Sequence, residues 1–396
     1  MYKILALIGC AAAAAIDVNP HNGKNCQDIT VPITVATTLK QFDYHPTDSE
    51  VDTTNFFLEF TRPGSDFVKR LTINRERVPS NTNNQNDTNI KKDYTLAATL
   101  CHPPDGPGST LQILTHGVGF DRSYWDYPFA GFNYSYVARA VAAGHSTLAW
   151  DRLGIAASSH GDPVQEIQLG LEVEALRQLT LAAAGSSSDL CGLLSGHRFT
   201  KTVHVGHSFG SALTYALSSQ HPDISDAVVL TGFSQAPAYM AYFALGANFA
   251  PVAAVSAALA ERYATGYVAP RTAIGVHIDF FAPGDFADAL LADATVHGQP
   301  AAVGELLTIG DAAAAPSAFA GKVLIITGEH DVPFCGGNCN MPMGDAPDLL
   351  ALSKPMFAQA AAFQTMVVPG AGHGLNFGYS HVVTYQSILD FLKQQL

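Results

Sequence analysis

KTVHVGHSFGSALTY, residues 201–215, decides how the rest of the chain reads. Residues 202–205 predict a short buried strand, Gly206-His207-Ser208-Phe209-Gly210 a sharp turn, and the remainder an amphipathic helix. Glycines two residues on either side of Ser208 let the backbone turn tightly enough to lift the serine Oγ over a sheet edge. The same turn sets a helix N-terminus beneath the serine, where the N–H of Phe209 can face an anion. Matches of this length also arise by chance, and the chain supplies its own control. Gly144-His145-Ser146 begins alike, lacks the second glycine and leads into a strand, STLAW, instead of out of one. Ser146 therefore reads as an ordinary serine at a strand start.

Outward from that turn the chain alternates. Upstream, 110–115 reads as a buried strand running into His116-Gly117-Val118-Gly119-Phe120. A helix around 134–143, a strand at 147–150, the loop Asp151-Arg152-Leu153-Gly154 and a long amphipathic helix at about 164–183 follow. Downstream come strands at 227–231, 323–327 and 364–368, a helix near 349–361 and a closing helix at 381–395. Alternation of this kind predicts an α/β fold: a mostly parallel central sheet, helices on both faces, and functional loops at the C-terminal ends of the strands.

The interval 233–321 breaks the pattern. It is rich in alanine, with helical stretches near 239–263, 286–294 and 301–307, and is expected to form a helical cap inserted between two parts of the core, 110–232 and 322–396. The competing reading is a helical layer that only stabilises the sheet. Ahead of the core, 26–109 offers extended stretches at 28–38, 56–60 and 93–101 and a loop of turn-forming residues, SNTNNQNDTN, at 80–89.

A chain of 396 residues that is 47% hydrophobic can bury a large core. Its net charge of −13 arises from a low charged fraction, 14%, without any basic run, so no nucleic-acid partner is expected. Residues 1–15, MYKILALIGCAAAAA, have the layout of a secretory signal peptide; the apolar run falls short of the roughly 20 residues that span a bilayer. A secreted, extracellular protein with no membrane span is the expectation, and Cys10 would leave with the signal. Secretion makes Cys26, Cys101, Cys191, Cys335 and Cys339 disulfide candidates. Cys335 with Cys339 and Cys26 with Cys101 are the expected pairs, leaving Cys191 over. A zinc site at Cys335 and Cys339 would need two more ligands that no nearby motif supplies, so no metal is expected. Asn86 and Asn133 head glycosylation sequons.

A serine hydroxyl needs a base to become a nucleophile, and the base needs a group to fix its tautomer. Two further predicted strand ends supply both: 323–327 runs into Gly328-Glu329-His330-Asp331, and 364–368 runs towards Gly370-Ala371-Gly372-His373-Gly374. Asp331 is the candidate acid, with Glu329 as its rival, and His373 the candidate base; Thr231-Gly232-Phe233 offers no carboxylate. The N–H groups of Val118 and Phe209 are the candidate oxyanion donors. His116 reads as a loop-fixing hydrogen-bonder, His204 and His207 as supports of the turn, and Asp151, with Arg152 directly after it, as a structural salt bridge or loop anchor. Trp125, with its neighbours Tyr124, Tyr127 and Phe129, either lines an apolar pocket or packs the next helix. Phe233 and the adjacent rings of Phe280 and Phe281 are the other candidate pocket residues, Phe281 foremost.

HGVGF, WDRLG, GHSFG, TGEHD and GAGHG, in this order, resemble the α/β-hydrolase fold superfamily, and within it secreted, capped serine hydrolases of the fungal type. The resemblance covers about 110–396 and leaves 26–101 outside the core motifs. It implies a nucleophile at Ser208, an acid at Asp331, a base at His373 and oxyanion N–H groups at Val118 and Phe209. The activity it implies is hydrolysis of an ester, or of a lactone or amide, with an apolar moiety through an acyl-enzyme, without cofactor. Alternatives are C–C hydrolysis or lyase action on the same scaffold, or a ligand-binding protein that has lost turnover. Epoxide hydrolase and dehalogenase chemistry is disfavoured, since those branches carry a carboxylate where Ser208 stands. The expected partner is a small apolar ester-like molecule; the sequence does not set the oligomeric state.

Overall fold

Ile29, Val31, Ile33 and Val35 are buried while Thr30, Pro32 and Thr34 between them are exposed, the period-two signature of a strand with one face on a core. In the computed structural model, which describes residues 16–21, 24–73, 87–184, 198–313 and 315–396, this stretch belongs to a long antiparallel ribbon. The expected signal segment, Asn86 and Cys191 lie outside the described residues. Strand β1 (Ile16–His21) pairs with β2 (Lys24–Lys40), and β2 with β3 (Asp87–His102), in a register that sets Cys26 opposite Cys101. The two sulfurs are bonded at 2.09 Å, and the expected pair Cys335–Cys339 is bonded at 2.03 Å.

The strands that follow are buried almost from end to end. β4 (Thr110–Thr115), β5 (Ser146–Trp150) and β7 (Ala227–Thr231) are buried at every residue, and β6 (Lys201–His207) at all but its first two. Side chains buried on both faces suit parallel strands between two layers of helix. In the inserted segment β8 (Phe249–Pro251), β9 (Tyr267–Pro270) and β10 (Ala301–Ala302) make a small antiparallel sheet. β11 (Lys322–Gly328) and β12 (Ala362–Val368) complete the main sheet, whose nine strands run β1-β2-β3-β5-β4-β6-β7-β11-β12. From β5 to β12 neighbours are parallel; from β1 to β5 they are antiparallel. Helices Leu169–Ala183 and Phe209–Gln220 pack together in one layer, Tyr136–Ala142 and His381–Gln395 in the other.

Several expected elements differ. Residues 56–60, FFLEF, are not a strand but part of helix Glu50–Thr61. Phe56 and Phe57 are buried, Phe56 stacks on Phe60 at 5.8 Å, and Phe57 on Phe249 at 5.1 Å. That i, i+1, i+4 spacing is helical, and Ser49 caps the first turn by accepting from the N–H of Asp52. The helix expected near 349–361 contracts to a 3-10 segment, Ala351–Phe357, which holds Pro355. The inserted segment is less helical than its alanine content suggests, because Gly246 and Pro251 bound short helices and leave room for β8 and β9. No helix among the described residues is long and apolar enough to cross a membrane.

Candidate active site

β6 ends in a turn that only its glycines permit. Ser208 sits at φ 56°, ψ −118°, a sparsely populated conformation that costs about 1–3 kcal/mol and persists only where the surroundings fix it. They do so here: the N–H of Ser208 donates to Thr231 O at 2.9 Å. A Cβ at Gly206 would lie 2.3 Å from Gly210 O, and one at Gly210 would lie 2.2 Å from Thr115 O. The helix Phe209–Gln220 starts directly after the serine, and the first N–H groups of a helix have no intrahelical acceptor. Ser146, the control, is a buried residue at the start of β5, as expected.

β11 and β12 deliver the other two candidates to the same sheet edge. Asp331 and His373 are buried, and His373 Nδ1 lies 2.6 Å from Asp331 Oδ2. The second Asp331 oxygen accepts from Phe334 N at 2.7 Å. An ionised carboxylate only accepts, so the imidazole proton sits on Nδ1 and Nε2 is left with a lone pair. That Nε2 meets no hydrogen-bond partner among the described residues. The ring lies among those of His207, Phe280 and Phe334, with centroids 4.8, 5.6 and 5.6 Å away. Gly232 makes this possible: at φ +55°, a Cβ there would stand 2.9 Å from the His373 ring. Glu329 points elsewhere, accepting from Gly370 N and from the amide of Asn340.

The loop after β4 closes over the serine. A Cβ at Gly117 would fall 2.7 Å from Ser208 Cβ. His116 holds this loop, its Nδ1 2.8 Å from Gly117 O and its Nε2 accepting from Arg152 N at 3.1 Å. Burial, and next the Arg152 charge, hold His116 well below the usual imidazole range. His207 is likewise lowered by burial, then by His373; its ring stacks on Tyr124 at 4.4 Å and its Nδ1 meets the Thr231 hydroxyl at 3.1 Å. His204 is locked between the hydroxyls of Thr180 and Ser225 at 2.9 Å each. Asp151 pairs with Arg122 and accepts from the N–H groups of Arg122 and Ala157; burial lifts its carboxyl to about 6 against the pull of Arg122.

The candidate pocket residues separate. Phe233 joins Ala212, Tyr215, Met240, Phe334 and Met356 around an apolar cavity of about 360 Å³ that shares the Phe334 ring with His373. Trp125 is fully buried between Tyr124 and Tyr136 and packs a helix. Phe281 stacks on Phe377 at 5.8 Å and meets Phe286 at 5.0 Å, whereas Phe280 is the ring against His373 and Phe120. The inserted segment touches the His373 loop directly, Gly374 N donating to Phe280 O at 2.7 Å. Cys26, Cys101 and Asp126 cluster, but both sulfurs are spent in a disulfide and offer a metal nothing. Sequence reasoning set Arg152 beside Asp151 but missed its partners Glu172 and Glu305, whose buried ion pairs with it bring together residues far apart in the chain.

No curated protein matches the chain. Among solved structures the fold resembles a thermophilic esterase from Thermogutta terrifontis, 15% identical over 76% of this chain and 94% of that one, with a TM-score of 0.50. A bromoperoxidase from Bacillus anthracis is 18% identical over 76% and 96% of the two chains, TM-score 0.48. Epoxide hydrolase A from Mycobacterium thermoresistibile is 14% identical over 76% and 95%, TM-score 0.47. At such identities the likeness is one of fold. The model of the alpha/beta hydrolase family matches residues 112–383, which takes in β5, β6, the inserted segment, β11 and β12. By that match, over more than half its length, the chain belongs to the alpha/beta hydrolase family.

Proposed function

We propose that the protein is a secreted serine hydrolase that cleaves an ester, or a lactone or amide, carrying an apolar moiety. Ser208 Oγ attacks the carbonyl carbon and passes its proton to Nε2 of His373. The tetrahedral oxyanion is met by the N–H groups of Val118 and Phe209, each such donor being worth about 3–4 kcal/mol. The carbon–oxygen bond to the leaving alcohol breaks as the alcohol takes the proton from His373. Water then attacks the acyl-serine, giving a proton to His373 that returns to Ser208 as the acid departs. Asp331 holds the imidazole in the tautomer this sequence needs.

The observation that carries the reading is the buried Asp331–His373 hydrogen bond, whose Nε2 meets no partner among the described residues, at the same sheet edge as a serine held at a glycine-flanked turn. The apolar cavity around Phe233 supports an apolar acyl or alcohol group, under residues 233–321 as a cap. Two disulfides support an oxidising compartment, and Asn133 is exposed where a sugar would attach. Labelling with a fluorophosphonate tests the core claim: Ser208 is expected to be the only serine modified, and Ser208→Ala to abolish p-nitrophenyl ester turnover while leaving the protein folded. Labelling at Ser146, or turnover in the variant, overturns it.

A further inference from the structure

The peptide between Gly117 and Val118 is gripped on its carbonyl side. Gly117 O lies 2.8 Å from His116 Nδ1 and 3.5 Å from Arg152 Nη2. A trans peptide sends its N–H opposite to its C=O, so the Val118 N–H points away from the guanidinium. Arg152 also packs on the residue that carries the second candidate donor: its guanidinium stands 4.7 Å over the ring of Phe209. It is fully buried, and its charge is met by Glu172 at 2.8 Å and by Glu305. Glu172 belongs to helix Leu169–Ala183 of the core; Glu305 belongs to the inserted segment, where its other oxygen accepts from Ala302 N at 2.6 Å. Burial raises the Glu172 carboxyl well above the usual range against the pull of Arg152, and Glu305 adds to the rise.

We infer that Arg152, held by Glu305 of the inserted segment, is a positioning residue that orients the Gly117–Val118 peptide, and so couples that segment to the turnover rate. A buried guanidinium with two carboxylates is costly to assemble and returns little net stability, so fold stability alone accounts poorly for it. Its contacts with both oxyanion elements give it a second task. Removing a group that acts only on the transition state lowers kcat without touching KM. The inference rests on the serine-hydrolase reading above.

Glu305→Gln and Arg152→Lys are compared with the wild type on p-nitrophenyl acetate, whose acyl group is too short to report on a pocket. Rates are normalised to sites titrated by a fluorophosphonate, so unfolded protein does not count. Expected for Glu305→Gln is a fall in kcat of about 10- to 100-fold with KM within twofold, and an equal loss of affinity for a trifluoromethyl ketone, which forms the tetrahedral anion. Arg152→Lys, with no planar fork for Gly117 O and both acids, is expected to lose more. Glu172→Gln, which leaves Glu305 and its link to the inserted segment in place, is expected to lose less than Glu305→Gln. Should Glu305→Gln fail to fold, Glu305→Asp, which keeps the charge but draws it back by one methylene, is read in its place. A lower melting temperature with kcat and inhibitor affinity per titrated site unchanged overturns the inference and leaves the hydrolase reading standing. If wild-type Ser208 takes no fluorophosphonate, the hydrolase reading falls and this inference with it.

Discussion

Gly232 shows how much of a site can rest on a missing side chain. It follows β7, adopts φ +55°, and leaves the space that the His373 ring occupies; an added Cβ would stand 2.9 Å from the ring. Gly232→Ala should therefore push the imidazole out of line and cost about 100-fold or more in kcat, since a displacement of roughly 1 Å from reacting geometry has that effect. Steady-state kinetics check this, with unchanged kcat as the contrary outcome. Asp331 works by polarity instead of space. Asp331→Asn keeps the shape but can donate where it should accept, turning the His373 tautomer around, and kcat should fall by as much as about 10⁴. Because Glu329 is bound to Gly370 and Asn340, it is not expected to rescue the variant. Full activity in Asp331→Asn would return the acid's role to Glu329 or Asp151.

At the scale of elements, what could be read from the chain depended on whether the signal was local. β4, β5 and β7 announce themselves as short runs of apolar and β-branched residues, and the turns after β6, β11 and β12 carry glycines that their geometry demands. Helix Glu50–Thr61 was missed because three phenylalanines outweighed the acidic first turn and the Ser49 cap, which were the better evidence. The pocket was harder still. Phe280 and Phe281 are neighbours in sequence, yet one ends a helix facing His373 and the other begins an extended segment facing Phe377. Their roles should separate in the same way. Phe281→Ala is expected to cost about 3–5 kcal/mol of stability, as truncating a buried ring does, and to leave the kcat/KM ratio of short to long esters unchanged. Phe233→Ala should instead enlarge the cavity it lines and shift preference to longer acyl groups, each methylene contributing about 1–3 kcal/mol. Equal chain-length profiles for Phe233→Ala and the wild type would detach that cavity from the substrate.

For the molecule as a whole, titration joins the site to stability. His204 is buried and held neutral, with its pKa pushed down to about 3 by burial alone. An unfolded histidine protonates near 6.5, so between that pH and about 3 the unfolded chain binds a proton that the native state refuses. The sign follows: this contribution to stability is complete above pH 6.5 and is lost as the pH falls, at roughly 1.4 kcal/mol per pH unit once protonation of the unfolded form is complete. Other buried groups pull in both directions, since Asp151, lifted to about 6, gains a proton in the native state before it does in the unfolded one. A difference measurement removes them. His204→Gln keeps a polar side chain for Thr180 and Ser225 but cannot titrate, so it should cost about 1–2 kcal/mol at pH 7 through poorer hydrogen bonds. That cost should shrink on acidification and change sign near pH 5, where the wild type has lost a comparable amount. Denaturant unfolding of both proteins at pH 7 and pH 5 decides the matter: equal penalties at the two pH values would mean that His204 accepts its proton in the native state, and that acid sensitivity arises elsewhere in the fold.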